Sequence, residues 1–515
     1  MRERIFIGVA WPYADGPLHL GHIAGAYLPA DIFARYHRAK GDEVLMVSGS
    51  DQHGTPITIK AEKEGKKPGE IVGKYHQQFL DSWGRLGISF DLFTRTGTAI
   101  HAEVSQDIFL TLLDRGYIYK ATVSQPYCPH CQRFLTDRYV EGTCPYCSSS
   151  GARGDQCDDC GKPLTPAELI DPRCQLCATT PQFRDSEHFF LKLSAFQDRI
   201  SAWASEQGQW RPNVYNLTKR YLKEGLKDRA ITRDIDWGVP LPLDGFEDKR
   251  LYVWFEAVIG YLSATKEWAK SSGDDDKWRP FWQGDEGKSY YFIGKDNIPF
   301  HTLIWPAMLM GYGGLNLPYD VPANEFLTIE GKKLSTSRNW AVWLPDYLAR
   351  YEPDPLRYLL SINMPETGDT DFSWREFVRR NNDELVATYG NLVHRVLTFV
   401  YKNFDGCVPT YEDMGAINKV PPMDGRDKDL IDKSLAGFNG VDGLLSRCHF
   451  KQALKMAMTV AHEANRYLDE KSPWKAIKEN RQDAASSLFV AICVITQLKR
   501  MLYPFLPFSS QKVHE

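Results

Sequence analysis

Eight of the eleven cysteines fall between positions 128 and 177 as four C-x-x-C pairs: Cys128/Cys131, Cys144/Cys147, Cys157/Cys160 and Cys174/Cys177. Thiolates two residues apart chelate an ion more readily than they bridge, and tetrahedral Zn²⁺ takes two such pairs. Eight ligands therefore predict two zinc ions. Disulfide frameworks belong to short secreted chains, and this chain has 515 residues. The window is rich in Gly, Pro, Ser and Asp, as in SSSGARG at 148–154. It is too polar to build a core, so metal must supply the folding energy there. With no ligand position for a reactive water, both ions read as structural. Spacing alone leaves the pairing open, either adjacent (first with second, third with fourth) or nested (outer with outer, inner with inner).

Two further groups have phosphate chemistry. His19, Gly21 and His22 open a helical pattern after a short strand, where a helix start offers free N–H groups and Gly21 lets a ligand near the backbone. The two imidazoles, three residues apart, share a face and can meet charge developing on phosphate. Far along the chain, Gly331-Lys332-Lys333-Leu334-Ser335-Thr336-Ser337 follows the strand-like segment Glu325 to Ile329. Such a loop is a cationic clamp able to close over a triphosphate. Taken singly, each group is more commonly a capped helix start or a solvated charged turn.

The elements that must position these groups are of two kinds. Arg4 to Ala10 reads as a strand, about His19 to Ala39 as a helix ending at Gly41, Glu43 to Ser48 as a strand, and 56–65 as the start of a helix. Pro29 inside the first helix predicts a kink. A second set, Tyr290 to Gly294 and Asn297 to Met310, repeats strand then helix, so a parallel sheet is split by an insertion at 117–236. SSGDDDK at 271–277 reads as a surface loop. Beyond Asp371 the period becomes helical only, with Leu385, Tyr389, Leu392, Val396 and Phe399 on one face and Leu488, Ile492, Ile495, Leu498 and Leu502 on another.

Motif order carries a resemblance. HLGH and KLSTS stand where the class I aminoacyl-tRNA synthetases have HIGH and KMSKS. AWPYADGPLHLGH (10–22), GSDQHGTP (49–56), ITRDIDWGVP (231–240), YVWFEAVIGY (252–261), FIGKDNIPFH (292–301), KKLSTSR (332–338) and DFSW (371–374) narrow it to the methionyl-tRNA synthetase family. The resemblance implies a Rossmann-like α/β catalytic domain split by a zinc-knuckle insertion and followed by an all-α anticodon-binding bundle. The corresponding boundaries are 1–116 and 237–320 for the two catalytic halves, 117–236 for the insertion, 321–372 for the connector with the lysine loop, and 373–515 for the bundle.

It also implies an ATP-dependent ligase that forms methionyl-adenylate and passes methionine to initiator and elongator methionine tRNA. By resemblance, methionine would lie among Ala10, Trp11, Tyr13, Trp254, Ala257, Tyr261, Asn297 and His301, with Asp51 taking the α-ammonium. Aromatic rings around a thioether add S···aromatic contacts to apolar burial. ATP, with Mg²⁺, would meet His19, Gly21, His22, Lys295, Lys332, Lys333, Ser335, Thr336 and Ser337. Both steps need positioning and charge stabilisation rather than a nucleophilic side chain. Four positions depart from the family pattern: Thr336 replaces its second lysine, Glu256 its aspartate, Val258 a common proline and Asn297 an isoleucine. A catalytically dead zinc RNA-binding protein, favoured by Thr336, and a leucine or cysteine synthetase are the competing readings.

Relatives with a single zinc keep the pairs matching Cys144/Cys147 and Cys157/Cys160, which favours the nested arrangement. The insertion is too small for a separate editing domain and would steer the acceptor end of tRNA. Asn391, Arg395 and Trp474 match anticodon-reading positions, and a solvent-facing indole on a first helical turn stacks on a splayed base. The net charge of −4, from 62 basic and 66 acidic residues, then requires a basic surface confined to one side. No run approaches 18 apolar residues and the N-terminus carries no signal-peptide pattern, so a cytoplasmic protein is expected. With the last helix ending the sequence, a monomer is expected as well.

Overall fold

The structure, a computed structural model, describes residues 2–515 apart from 155, 156, 158, 161, 163, 335–339 and 416–422; for Asp137 and Lys333 it describes the backbone alone. Five parallel strands lie in the order Ala323–Asn324, Gly287–Gly294, Arg4–Val9, Glu43–Ser50, Leu92–Arg95. The first strand of the chain is therefore central, with its sequence neighbour on one side and a strand from beyond the insertion on the other. That reversal opens a crevice at the carboxyl ends of the strands, and Ala10, Asp51 and Gly294 all stand at or just past those ends.

The helix after the first strand is continuous but uneven. Leu20–His22 is α, Ile23–Tyr27 widens to a π turn, and Leu28–Lys40 is α again, closed by Gly41 at φ 94°. Pro29 explains the widening, because it has no N–H to give and the ladder shifts so that Leu28 N–H donates to the Ile23 carbonyl. The expected kink is thus absorbed as a π turn. The same device recurs where one helix was expected over 297–310. A 3₁₀ turn at Lys295–Asn297 is followed by a π turn at Phe300–Ile304, and the α-helix Trp305–Tyr312 has Pro306 at its second position.

The insertion leaves on Ile118–Cys128 and returns on Gln182–Leu191, an antiparallel ribbon in register from Ile118↔Leu191 to Tyr127↔Gln182. Between them lies a small three-stranded sheet (Ala152–Arg153, Val140–Thr143, Ile170–Cys174). Its core mixes Leu135, Tyr139, Val140, Leu164 and Leu169 with Cys128, Cys144, Cys157 and Cys174. This knob docks on the helix Thr55–Glu64, where Ile59 joins its core, Tyr139 Oη donates to Thr58 Oγ1 at 2.8 Å and Arg133 pairs with Glu62 at 2.7 Å. The helix Pro212–Glu224 then returns the chain to the sheet.

In the connector, Leu327–Ile329 pairs antiparallel with Lys332–Lys333 and parallel with Thr370–Phe372. The C-terminal helices Asn391–Asn403, Gly425–Leu445, Phe450–Lys471 and Arg481–Leu502 form a bundle whose core runs without a break into that under the HLGH helix. Arg481–Leu502 is long and apolar enough to cross a membrane, yet Leu488, Val494, Leu498 and Leu502 are buried in the bundle. Arg357, fully buried, clamps the two parts together. Its guanidinium donates to Asp31 of the HLGH helix at 2.7 Å and to the Phe505 carbonyl at 2.8 Å.

Candidate active site and metal centres

A cleft of about 390 Å³ opens at the crevice of the sheet. Ala10, Trp11, Tyr13, Asp51, Trp254, Ala257, Tyr261, Asn297 and His301 line it together with His19, Gly21 and His22. Residues from four separate sequence blocks thus share one cavity. Trp11 shows how closely they fit. A Cβ at Gly49 would lie 2.1 Å from its ring and one at Gly260 2.7 Å, so two glycines admit the indole.

One end of the cleft is aromatic. Trp254 stacks on Phe300 at 4.4 Å and 18°, and Tyr13 meets Trp254 edge-on at 6.2 Å. The helical run of 253–271 is broken by a 3₁₀ turn at Ala257–Ile259, and Trp254 and Tyr261 still face the same cavity. Tyr261 Oη donates to Nε2 of His301 at 2.8 Å, while Nδ1 of His301 donates to the Asn297 carbonyl at 2.9 Å. Burial brings the His301 pKa down to about 4, so the ring is neutral and its tautomer is set by these two bonds.

Asp51, 4% exposed, follows the strand Glu43–Ser50, and its Oδ1 accepts the His53 N–H at 3.1 Å. Burial, and then the charge of Glu256, push its pKa well up, the signature of a carboxylate awaiting a cation. Behind it lies a group that sequence reasoning missed. Glu256 is held by His53 Nδ1 at 2.7 Å and His101 Nε2 at 2.5 Å. Burial alone would raise the Glu256 pKa, but the two imidazoles outweigh it and bring it to about 2. Glu256 was noted only as a departure from the family pattern, and nothing in its local sequence announces partners 203 and 155 residues away.

The other end carries the histidine pair. Their rings stack at 3.8 Å, and the backbone N–H of His19 donates to Nδ1 of His22 at 3.1 Å, which leaves His22 its proton on Nε2. Burial lowers the His19 pKa to about 4, and burial, with the charge of His19 beside it, holds that of His22 well below the ordinary value. Nδ1 of His19 is buried without a partner among the described residues. The segment after the lysine loop is sewn to this helix start, with Leu20 N–H donating to Val342 O at 3.1 Å and Leu344 N–H to Leu18 O at 2.8 Å. Leu334 lines the cleft beside Gly21. Ser335, Thr336 and Ser337 lie outside the described residues, as does the side chain of Lys333.

Two lysines stand away from the cleft lining. Lys332 is exposed, with Nζ 5.2 Å from the Trp340 ring centre. Lys295 pairs with Glu325 at 2.7 Å and Asp369 at 2.9 Å and lies over Phe326. Phe300, Asp296 and Glu325 join the lining without having been singled out, although the first two sit in the FIGKDNIPFH block.

The cysteines gather in two groups of four, Cys128/Cys131/Cys174/Cys177 and Cys144/Cys147/Cys157/Cys160. Pairing is nested. Sulfurs approach at 3.4 Å (Cys128 to Cys177, Cys131 to Cys177), 3.6 Å (Cys147 to Cys157) and 3.9 Å (Cys131 to Cys174, Cys144 to Cys160). A tetrahedron with Zn–S near 2.3 Å has edges of about 3.8 Å, so both groups fit the ion, and the separations are too long for disulfides.

In the bundle, Asn391 is exposed at the first turn of its helix, and Arg395 lies 4.4 Å over the Trp474 ring while pairing with Asp469 at 2.8 Å. Trp474 is half-buried against the bundle core rather than free in solvent, because Pro473 anchors its turn and Arg395 covers one face.

Comparison with known proteins gives a consistent picture. A family model described as tRNA synthetases class I (M) matches residues 5–397, and one described as the anticodon binding domain of methionyl tRNA ligase matches 421–515. The methionine–tRNA ligase of Dehalococcoides mccartyi is 64% identical over 513 residues, covering all of this chain and 91% of that one. That of Thermomicrobium roseum is 56% identical over 515 residues, covering 100% and 87%. Among solved structures, Mycobacterium tuberculosis methionyl-tRNA synthetase in complex with methionyl-adenylate superposes with a TM-score of 0.81 at 25% identity, covering 100% of this chain and 93% of that one.

Proposed function

The chain belongs to the class I methionyl-tRNA synthetases, which use ATP, methionine and tRNA, and from that premise we propose how its own residues divide the work. The observation that carries the assignment is the single cleft in which Asp51, the aromatic end and the histidine pair meet. Methionine lies with its thioether among Trp11, Tyr13, Trp254, Ala257, Tyr261 and His301, and with its ammonium on Asp51. The sulfur chain gains aromatic contact and burial, and the Tyr261 hydroxyl, oriented by a neutral His301, offers its oxygen without adding a charge. Ala10 and Asn297 close the ends of this pocket.

ATP lies at the histidine end with its Mg²⁺. Nδ1 of His19, which has no partner among the described residues, and the Nε2–H of His22 are the groups that meet its phosphates there, and Gly21 admits the nucleotide to the helix start. Both imidazoles are neutral, so they act as hydrogen-bond donors in a dry site rather than as counter-ions. Cationic charge comes from Lys332 and Lys333 on the loop with Ser335, Thr336 and Ser337. Lys295 contributes only after leaving Glu325 and Asp369. The methionine carboxylate attacks the α-phosphorus and the bond to pyrophosphate breaks. A terminal ribose hydroxyl of tRNA then attacks the acyl carbon and AMP leaves.

Each nested group of four cysteines holds one structural Zn²⁺, which fixes the knob on the helix that follows Asp51. Asn391, Arg395 and Trp474 read the anticodon of initiator and elongator methionine tRNA, with Arg395 moving off the indole to admit a base. The enzyme works in the cytoplasm as a monomer, for which gel filtration should give one species near 58.8 kDa. Pyrophosphate exchange with methionine, leucine and cysteine tests the whole. Exchange with methionine alone is expected, and exchange with none of the three would overturn the reading.

A further inference from the structure

Arg211, 9% exposed, begins the helix Pro212–Glu224 by which the insertion returns to the sheet. Its guanidinium donates to neutral oxygens on two distant segments. Nη1 reaches Asn324 Oδ1 at 2.6 Å and the Ala323 carbonyl at 3.3 Å, and Nη2 reaches the Cys448 carbonyl at 2.7 Å. Asn324, 1% exposed, passes the contact on, because its Nδ2 donates to the Ala24 carbonyl at 2.8 Å. Ala24 lies in the π turn two residues after His22.

The other end of this chain of bonds is the bundle. Cys448 holds a left-handed φ of 57°, and two residues later the 22-residue helix Phe450–Lys471 begins. That helix spans about 33 Å and ends beside Asp469, the partner of Arg395, just before Trp474. Replacing the Arg211 guanidinium with an apolar side chain would leave the Asn324 amide oxygen and the Cys448 carbonyl without this donor, so the fork contributes to stability as well as to geometry. The geometry it supplies is a planar fork that fixes segments at 211, 324 and 448 in one arrangement.

We propose that Arg211 is a positioning residue for tRNA charging, transmitting the seating of the anticodon bundle through Asn324 and Ala24 to the HLGH histidines. This rests on the reading of the bundle as the anticodon reader and of His19 and His22 as phosphate-binding groups. The linkage acts when tRNA occupies the bundle, so methionine activation without tRNA does not depend on it.

The test compares methionine-dependent pyrophosphate exchange with charging of methionine tRNA and of the same tRNA carrying an altered anticodon. For Arg211→Met, exchange is expected to stay within about threefold of the unsubstituted enzyme, while kcat/KM for cognate tRNA falls on the order of tenfold or more and discrimination between the two tRNAs shrinks by the same factor. Asn324→Asp retains the contact to Arg211 and loses the donor to Ala24, so it cuts the last link alone and should give the same pattern. It decides the matter if Arg211→Met fails to fold. Unchanged anticodon discrimination in Asn324→Asp, or exchange and charging falling in parallel, would overturn the proposal. An unsubstituted enzyme without methionine-dependent exchange would instead overturn the assignment of function.

Discussion

The hydroxyl of Tyr261 donates to Nε2 of His301 at 2.8 Å because Nδ1 of the same ring is already committed to the Asn297 carbonyl. Removing that hydroxyl leaves a buried ring nitrogen unsatisfied at the wall of the pocket, which costs about 1–3 kcal/mol. Tyr261→Phe should therefore raise the KM for methionine in pyrophosphate exchange by roughly 5- to 100-fold with the KM for ATP little changed. A parallel rise for ATP would place Tyr261 outside the amino-acid pocket.

The buried carboxylate of Asp51 gives a second prediction. With its partner ammonium removed or its own charge deleted, a buried ion pair loses about 3–5 kcal/mol, so Asp51→Ala should cut kcat/KM for methionine activation by roughly 10²- to 10⁴-fold. Circular dichroism should stay unchanged, since the backbone bonds of Asp51 to Pro12 and Ala14 remain. Near-normal exchange would refute the role.

Acid stability follows from the neutral histidines. His301 titrates near 4 in the fold against an ordinary 6.5. Below pH 6.5 the unfolded chain takes up a proton that the folded ring refuses, so this contribution is complete above 6.5 and is lost as pH falls toward 4. Its slope is about 1.4 kcal/mol per pH unit. The difference in denaturant midpoint between the unsubstituted enzyme and His301→Gln should therefore narrow as pH drops across that window, and a constant difference would contradict it.

For the insertion, elemental analysis should find two zinc per chain, falling to one in Cys131→Ser and in Cys147→Ser, which belong to different groups. Chelation should unravel the knob with its Tyr139 and Arg133 contacts while leaving the bundle helical content in place. One zinc in the unsubstituted chain would mean that one group of four does not bind.

In the bundle, Trp474→Ala should lower kcat/KM for tRNA by roughly 5- to 100-fold, the worth of one base stacked on an indole, with exchange unaffected. The half-buried ring adds a control, since its packing against the core makes some loss of thermal stability expected as well. Equal charging by the two proteins would make Trp474 a packing residue.

The sequence alone determined the parts whose signal is local. Hydrophobic period separated the parallel sheet from the helical bundle, and four C-x-x-C pairs pointed to two four-thiol groups able to hold metal. Motif order carried the resemblance to the family, and the resemblance implied the nine residues that line one cleft. Pro29 was readable as an irregularity, though not as a π turn, because a missing N–H dictates that the ladder must yield and not how, while Pro306 passed unremarked inside an expected helix.

Tertiary structure decided whatever depends on residues far apart in the chain. Nested grouping of the cysteines depends on how the ribbon strands Ile118–Cys128 and Gln182–Leu191 return, not on C-x-x-C spacing. The His53–Glu256–His101 group, the Lys295 ion pairs, the cover of Arg395 over Trp474 and the junction at Arg211 each join segments from dozens to hundreds of residues apart. A side chain's period and neighbours say which face it takes, but the charge it meets across a buried interface is set by the packing of whole elements, and that exists only once the chain has folded.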